Sequence, residues 1–403
     1  MDLIHTQFSQ FHPNAITVFG TLLLFGVAGG MIANRIKWMP TITAFMALGA
    51  TIGPHGIGLI SKPMLSESAV LIDIALGLIL YRLGNMLHPM VMIQSRRLML
   101  TSTLEIILTF LLTFLLVRAL GNNNTLAALI GAIAVSSSPA VLVHTSEELL
   151  ADGPITERAK SLVALNNLFS FLIFSFALPF AMITGEKTLG DVFLIPLYRL
   201  AGASIVGIIM GWMAIRIAGL LKKNDEHYRF AIVIGAVMLT VGLSGTLGVS
   251  SLFAPLVLGI STRGFETSKI NLSRVGLGEG GDLFYIILFV MAGAKINLHA
   301  LIENGIAPIL LAIVRSIGIF SGIILAARLT GVPRVQSTAT ALLLIPMAGM
   351  AIGLVATTNN LVPEMGGKIA AIVYTMVALF ETIGPFAAKH AFQISGEAGR
   401  KEA

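Results

Sequence analysis

Residues 130–144 read IGAIAVSSSPAVLVH. Ser136, Ser137, Ser138 and Pro139 interrupt an otherwise apolar run, and a proline removes a backbone donor while crowding the preceding turn. The surroundings decide what that interruption means. Of the 403 residues, 56% are apolar and only 11% charged, against ~25% charged in soluble domains, and the apolar residues fall in blocks long enough to cross a bilayer. That distribution excludes an ordinary soluble enzyme and predicts an all-α integral membrane protein. A helix interrupted at membrane depth must have its freed backbone groups buried in protein or facing a water-filled cavity.

The break has a counterpart. Residues 342–354, LLLIPMAGMAIGL, carry Pro346 and Gly349 in the same kind of setting. One interrupted helix in each half is the pattern of a transporter built from inverted repeats, with its solute between half-helix ends near the midplane. Two ordinary proline kinks satisfied by neighbouring helices are the alternative. That each break is followed by a span with polar residues at depth favours the transporter.

Working outward, apolar blocks at about 15–34, 39–60, 68–87, 98–118, 125–142, 159–184, 191–220, 229–245, 249–262, 281–298, 306–328, 337–358 and 368–392 predict thirteen spans. The opening MDLIHTQFSQFHPN has no basic residue before an apolar core and does not resemble a cleaved signal peptide. If the spans alternate, eighteen lysines and arginines fall on one side and five on the other, with Arg82, Arg199 and Arg315 inside spans. The positive-inside rule then puts the N-terminus outside and the C-terminus in the cytoplasm. The formal charge of +6 is therefore a topology signal, which leaves nucleic-acid binding without support. Inter-helix segments are short, so a single membrane-embedded domain over 1–403 is expected, without a soluble regulatory domain. The tail GEAGRKEA reads as a polar end.

Few polar residues lie at depth, and each needs a partner. In residues 161–174, SLVALNNLFSFLIF, Asn166 and Asn167 fall roughly 10–12 Å in, at 1.5 Å per residue. They could offer carbonyl oxygens to a cation, bind the freed backbone of the fifth span, or join helices by hydrogen bonds. Arg82 and Glu105 sit at similar depths on successive spans, which predicts a structural ion pair. Arg315 and Glu381 both fall near mid-membrane. They could neutralise each other, or Glu381 could exchange protons beside a fixed positive charge. Asp73 lies close enough to its span's end to snorkel, Glu279 and Asp282 suit a helix N-terminus, and His144 reads as interfacial. Gly276–Gly281 matches GxGxxG, but no strand precedes it, so it is a loop. The spacings Gly207/Gly211 and Gly318/Gly322 read as helix packing. The eight histidines show no ligand spacing, so neither a metal nor another cofactor is expected. No nucleophile–base pair suggests an enzyme, and without cysteine there is no disulfide or thiolate site.

The order of these features resembles the monovalent cation:proton antiporter superfamily, particularly its bacterial sodium/proton and potassium/proton exchangers, over nearly the whole chain. Three segments carry the resemblance. AVSSSPAVLVHTSEELLADGPITERAKSLVALNN (134–167) is similar to the family's unwound helix and ion-site helix, LFVMAGAKINLHAL (288–301) to a later span, and ALFETIGPFAAKHA (378–391) to its closing helix with an acid before Ile-Gly-Pro. The resemblance implies thirteen helices, a core around 68–184 and 281–392 holding two crossed broken helices, and remaining helices for dimerisation. It further implies homodimers in a bacterial inner membrane that exchange Na⁺ or K⁺ for H⁺ by elevator-like movement. Carried over by position, the breaks fall on Ser137–Pro139 and Pro346–Gly349, and the ion-site pair on Asn166 and Asn167.

There the chain departs from the pattern. The family's pair is Asp-Asp or Asn-Asp, and its second carboxylate carries cation and proton in turn. An amide can coordinate through its carbonyl but does not titrate. The basic residue that many members place in a late core helix aligns with Ile319, one turn from Arg315 on the same face. Three accounts follow. The chain exchanges ions with another acid, Glu381 being the best placed. It carries another solute without the usual proton coupling, on its amides and on Ser137 and Ser138. Or it is a non-transporting binding or regulatory relative.

Overall fold

The computed structural model describes residues 15–36, 39, 41–86, 95–181, 189–220, 226–267, 272, 278–294 and 306–400. Each of the thirteen apolar blocks contains a helix or a broken pair of helices. In chain order these are α1 Ala15–Arg35, α2 Thr41–Ile52, the short α3 Lys62–Glu67, α4 Ala69–Met86, α5 Arg96–Ala119, α6 Asn124–Val135, α7 Pro139–Glu148 and α8 Pro154–Ala181. They continue with α9 Leu189–Ala218, α10 Glu226–Thr246, α11 Phe253–Phe265, α12 Gly278–Ala294, α13 Ala307–Thr330, α14 Arg334–Leu344, α15 Gly349–Leu361 and α16 Pro363–Ser395. Eight stretches among the described residues are long and apolar enough to cross a membrane, α6 and α7 together making one of them, and the bent pair α14–α15 adds a ninth. The side chains of Glu279 and Asp282, and Gly276 altogether, lie outside the described residues.

Contacts divide the chain into two compact units. The smaller comprises Met1–Ala75 and Glu279–Asn297. Within it α1 packs on α2, and glycines at 49, 53 and 293 let α2 and α12 approach until a Cβ would overlap the opposite backbone. The larger unit comprises Leu76–Gly278 and Leu298–Ala403 and holds both breaks, the amide pair and the buried acids Glu105 and Glu381.

In the larger unit α5 lies against α13 along much of its length, and against α6 and α8. The expected packing role of Gly318 and Gly322 is realised there, because a Cβ on either would run into the backbone of Thr109 or Glu105. Gly207 and Gly211 do the same for α9 against α11. Small residues matter in this setting because, without a hydrophobic drive between helices in lipid, close van der Waals approach is what holds them together.

The polar tail differs from its expectation. α16 ends on Gly396, whose left-handed φ of 66° turns the chain back, and Glu397 is buried. Its carboxylate accepts from the Ile155 and Thr156 backbone N–H groups, each at 2.8 Å, and from the Thr156 hydroxyl at 2.7 Å. An anion over the first N–H groups of a helix satisfies donors with no intrahelical partner and complements the helix dipole. The tail also meets α7, since Gly399 N–H donates to Leu149 O at 2.8 Å, and Asp152 N–H donates to Glu397 O at 3.2 Å. Gly153 has no Cβ, and one there would collide with the Glu397 carboxylate. The ends of α7, α8 and α16 are thus tied by one strap. Glu397→Ala is expected to lower the thermal midpoint of the detergent-solubilised protein, at a cost of roughly 1–3 kcal/mol from the stranded donors, with Glu397→Gln falling between it and the wild type. Unchanged melting of both variants would show that the cap contributes nothing.

Candidate functional site

Both interruptions exist as breaks in the backbone. Ser136 leaves helical geometry at the end of α6 and Ser138 caps α7, its hydroxyl accepting from Val141 N–H at 3.3 Å with Pro139 in the first turn. Serine at the cap and proline behind it are the residue types that start a helix. The second break runs from Ile345 to Ala348, with α15 starting at Gly349, and α14 and α15 meet at 42°.

The breaks lie against each other. Ser138 N–H donates to Pro346 O at 2.7 Å, and the Ser137 hydroxyl donates to Leu344 O at 3.0 Å. Pro346 matters here for the carbonyl it keeps as well as for the donor it lacks. Gly384 of α16 makes room for its ring.

One buried side chain serves both. Arg315 of α13 is fully enclosed. Its Nε donates to Ala134 O at 2.7 Å, Nη2 to Ser136 O at 2.8 Å and to Leu344 O at 3.4 Å, and Nη1 to Ile345 O at 2.6 Å. Those carbonyls are the ones that α6 and α14 leave unsatisfied at their C-terminal ends, where the dipole is negative. The planar fork reaches four acceptors at once. The Phe380 ring of α16 faces the guanidinium at 4.5 Å, a cation–π contact.

Asn166 and Asn167 are also fully buried. Asn167 Nδ2 donates to Ser137 O at 2.8 Å and Val163 O at 2.9 Å, while Asn166 Nδ2 donates to the Ser137 hydroxyl at 3.3 Å. The pair therefore does bind the unwound segment, and does so through nitrogen. Two carbonyl acceptors fix the orientation of the Asn167 amide. Among the described residues, Oδ1 of each asparagine accepts no hydrogen bond.

The expected ion pair of Arg82 with Glu105 does not form. Arg82 pairs with Glu147 at the end of α7, at 2.6 Å. Glu105 instead faces the α8–α13 side of its helix, beside the Asn166 side chain and within electrostatic reach of Arg315. Equal depth placed Arg82 and Glu105 together in the sequence reading, but depth does not say which way a residue points around its helix axis. Arg315 and Glu381 form no ion pair either, because the guanidinium is already turned to the backbone carbonyls. Glu381 is buried on α16 and, among the described residues, has no hydrogen-bond or ion-pair partner. Asp73 is exposed and His144 half-buried. No group of three or more metal-ligating side chains occurs among the described residues.

A sequence model of the transmembrane sodium/hydrogen exchanger family matches residues 20–389. The chain is 20% identical over 376 residues to a probable Na⁺/H⁺ antiporter of Methanocaldococcus jannaschii, covering 90% of this chain and 93% of the relative. It is 23% identical over 385 residues to a putative K⁺ efflux antiporter, KefB, of Alkalimonas amylolytica, and spans 56% of that protein. A K⁺ efflux antiporter of Arabidopsis thaliana is matched over 49% of its length. The chain thus spans about half the length of these two potassium-efflux relatives. Among solved structures, the sodium proton antiporter MjNhaP1 of Methanocaldococcus jannaschii superposes with a TM-score of 0.71 at 19% identity, covering 95% of this chain and 99% of that one.

Replacing Arg315 should test the clamp. Arg315→Leu strands several buried carbonyls, each costing about 1–3 kcal/mol, and is expected to melt well below the wild type. Arg315→Lys keeps the charge without the fork and should recover only part of the loss. A lysine variant as stable as the wild type would show that charge alone holds the breaks.

Proposed function

This chain belongs to the sodium/hydrogen exchanger family, and we propose that it exchanges a monovalent cation, Na⁺ or K⁺, for protons across the membrane at the crossing of the two breaks. The observation that carries the reading is the pair of buried Asn166 and Asn167 carbonyl oxygens without hydrogen-bond partners, beside the unwound Ser136–Ser138 segment. Oxygen dipoles of this kind replace the hydration shell of an alkali ion, and the meeting of half-helices supplies the small polar pocket that alternating access needs. Ser137 and Ser138 order the segment and present further hydroxyl oxygen there.

The protein is a multi-pass membrane transporter. Orientation with the N-terminus outside and the C-terminus in the cytoplasm, residence in a bacterial inner membrane and assembly as a homodimer are part of the proposal. The first rests on the distribution of basic residues and the other two on the resemblance to bacterial antiporters. Because an asparagine pair does not titrate, the proton travels on a glutamate. Glu381 and Glu105 are the two acids buried within the described membrane helices.

Reconstitution decides. Proteoliposomes under an imposed pH gradient, offered Na⁺, K⁺ and Li⁺ in turn, are expected to show saturable cation-dependent proton flux in the wild type and a rise of tenfold or more in KM for Asn167→Leu. Flux confined to Asn167→Asp would mean that the wild-type site has lost its function with its carboxylate. Flux in neither would point to another solute or to a protein that does not transport.

A further inference from the structure

Nine side-chain atoms of the described residues are wholly shut off from solvent and have no hydrogen-bond partner, a set that the slightly exposed Glu381 carboxylate does not join. Six are hydroxyls of serine, threonine or tyrosine, which carry a rotatable donor as well as lone pairs. The remaining three are Asn166 Oδ1, Asn167 Oδ1 and Glu105 Oε2. An acceptor oxygen has no such freedom, and leaving it buried and unpaired is costly. All three side chains gather at the unwound segment, since Asn166 and Asn167 both bind Ser137 through nitrogen and the Glu105 side chain sits beside Asn166.

We propose that Glu105 is the acid for which cation and proton compete, acting from α5 on an ion held by the Asn166 and Asn167 oxygens of α8. The inference rests on the exchange reading above and names the acid within it. Its support is geometric. α8 has no acid from Ser161 to its end at Ala181, and α5 packs on α6, α8 and α13, all of which contribute to the crossing. Glycines 318 and 322 hold α13 so close that their missing Cβ atoms would touch the backbone of Thr109 and Glu105. One carboxylate oxygen is anchored, because Oε1 accepts from the Thr109 hydroxyl at 3.1 Å. The other, Oε2, accepts no hydrogen bond among the described residues, with the Asn166 side chain beside the carboxylate.

The charges facing Glu105 favour exchange over a fixed ion pair. Arg315 on α13 is the charged group near it, and Asn166 on α8 is neutral. Arg315 gives its four hydrogen bonds among the described residues to carbonyls, so it does not occupy the carboxylate as a salt-bridge partner. With a proton on Glu105 the group of Arg315 and Glu105 carries one positive charge. With the proton gone and a monovalent cation bound it carries the same. Each cation that arrives on one face releases one proton from Oε2 to water on that face, and the reverse follows on the other, so the exchange is one for one.

The direct test is proton release on binding. Purified protein in weakly buffered detergent, with a pH indicator dye, is titrated with NaCl, KCl and LiCl against choline chloride, in parallel with proteoliposome flux. The wild type is expected to release one proton per bound cation, and its KM for the cation should rise as pH falls, because protons compete. Glu105→Gln should keep its melting transition, release no proton and lose exchange by about a hundredfold. Glu105→Asp should restore release with a displaced pH midpoint. A folded Glu105→Gln that still releases a proton and exchanges at the wild-type rate overturns the assignment while leaving the exchange reading in place. A wild type inert towards all three alkali ions overturns the exchange reading itself. If Glu105→Gln does not fold, Glu105→Asp decides, and an unmoved midpoint of proton release counts against Glu105.

Discussion

The arrangement depends on four carbonyl oxygens with nowhere in their own helices to go. Interrupting α6 after Val135 and α14 after Leu344 leaves the last carbonyls of each exposed, and in a bilayer water does not satisfy them. Arg315 does, through one planar group that reaches Ala134, Ser136, Leu344 and Ile345. A buried guanidinium would otherwise be expensive. Here the partial negative charge of two helix ends offsets its desolvation, so the arginine and the breaks make each other tolerable.

Much else follows from that clamp. α13 has to lie close to α5 and to the crossing for Arg315 to reach it, and the glycine pair at 318 and 322 permits this. With the negative ends of α6 and α14 answered by an arginine, α7 begins on its own Ser138 cap, and the asparagines are free to bind the strand between through nitrogen. Their oxygens are left over. The polarity of the site is therefore a result of backbone accounting: nitrogen donors go to the unwound segment, and acceptor oxygens remain.

What could be read from the sequence follows the same division. Proline and serine in an apolar run have few meanings at membrane depth, so both breaks were visible, as were the amides beside the first. Spacing along one helix also carried through, in the glycine pairs of α9 and α13. Contacts between helices were less legible. Arg82 and Glu105 share a depth, yet Arg82 turns towards Glu147 and Glu105 towards Asn166, and only the packed angle of each helix settles that. Arg315 looked like a partner for Glu381 because charges suggest charges, whereas its partners are backbone atoms that every residue possesses. Glu397 gave no signal in an ordinary polar tail. An acid one residue past a glycine helix end, with a proline-initiated helix start elsewhere in need of an anion, is the trace that could have been followed.

The strap made by that tail has a consequence in time. Ile155 and Glu397 are separated by 242 positions, and a nascent chain emerges at about 5–20 residues per second. For the interval between the two, the helix that bears the asparagines is inserted with its leading turn uncapped. Insertion of α8 thus precedes its capping, which waits until residues 396–400 have been made and meet the loop after Glu148.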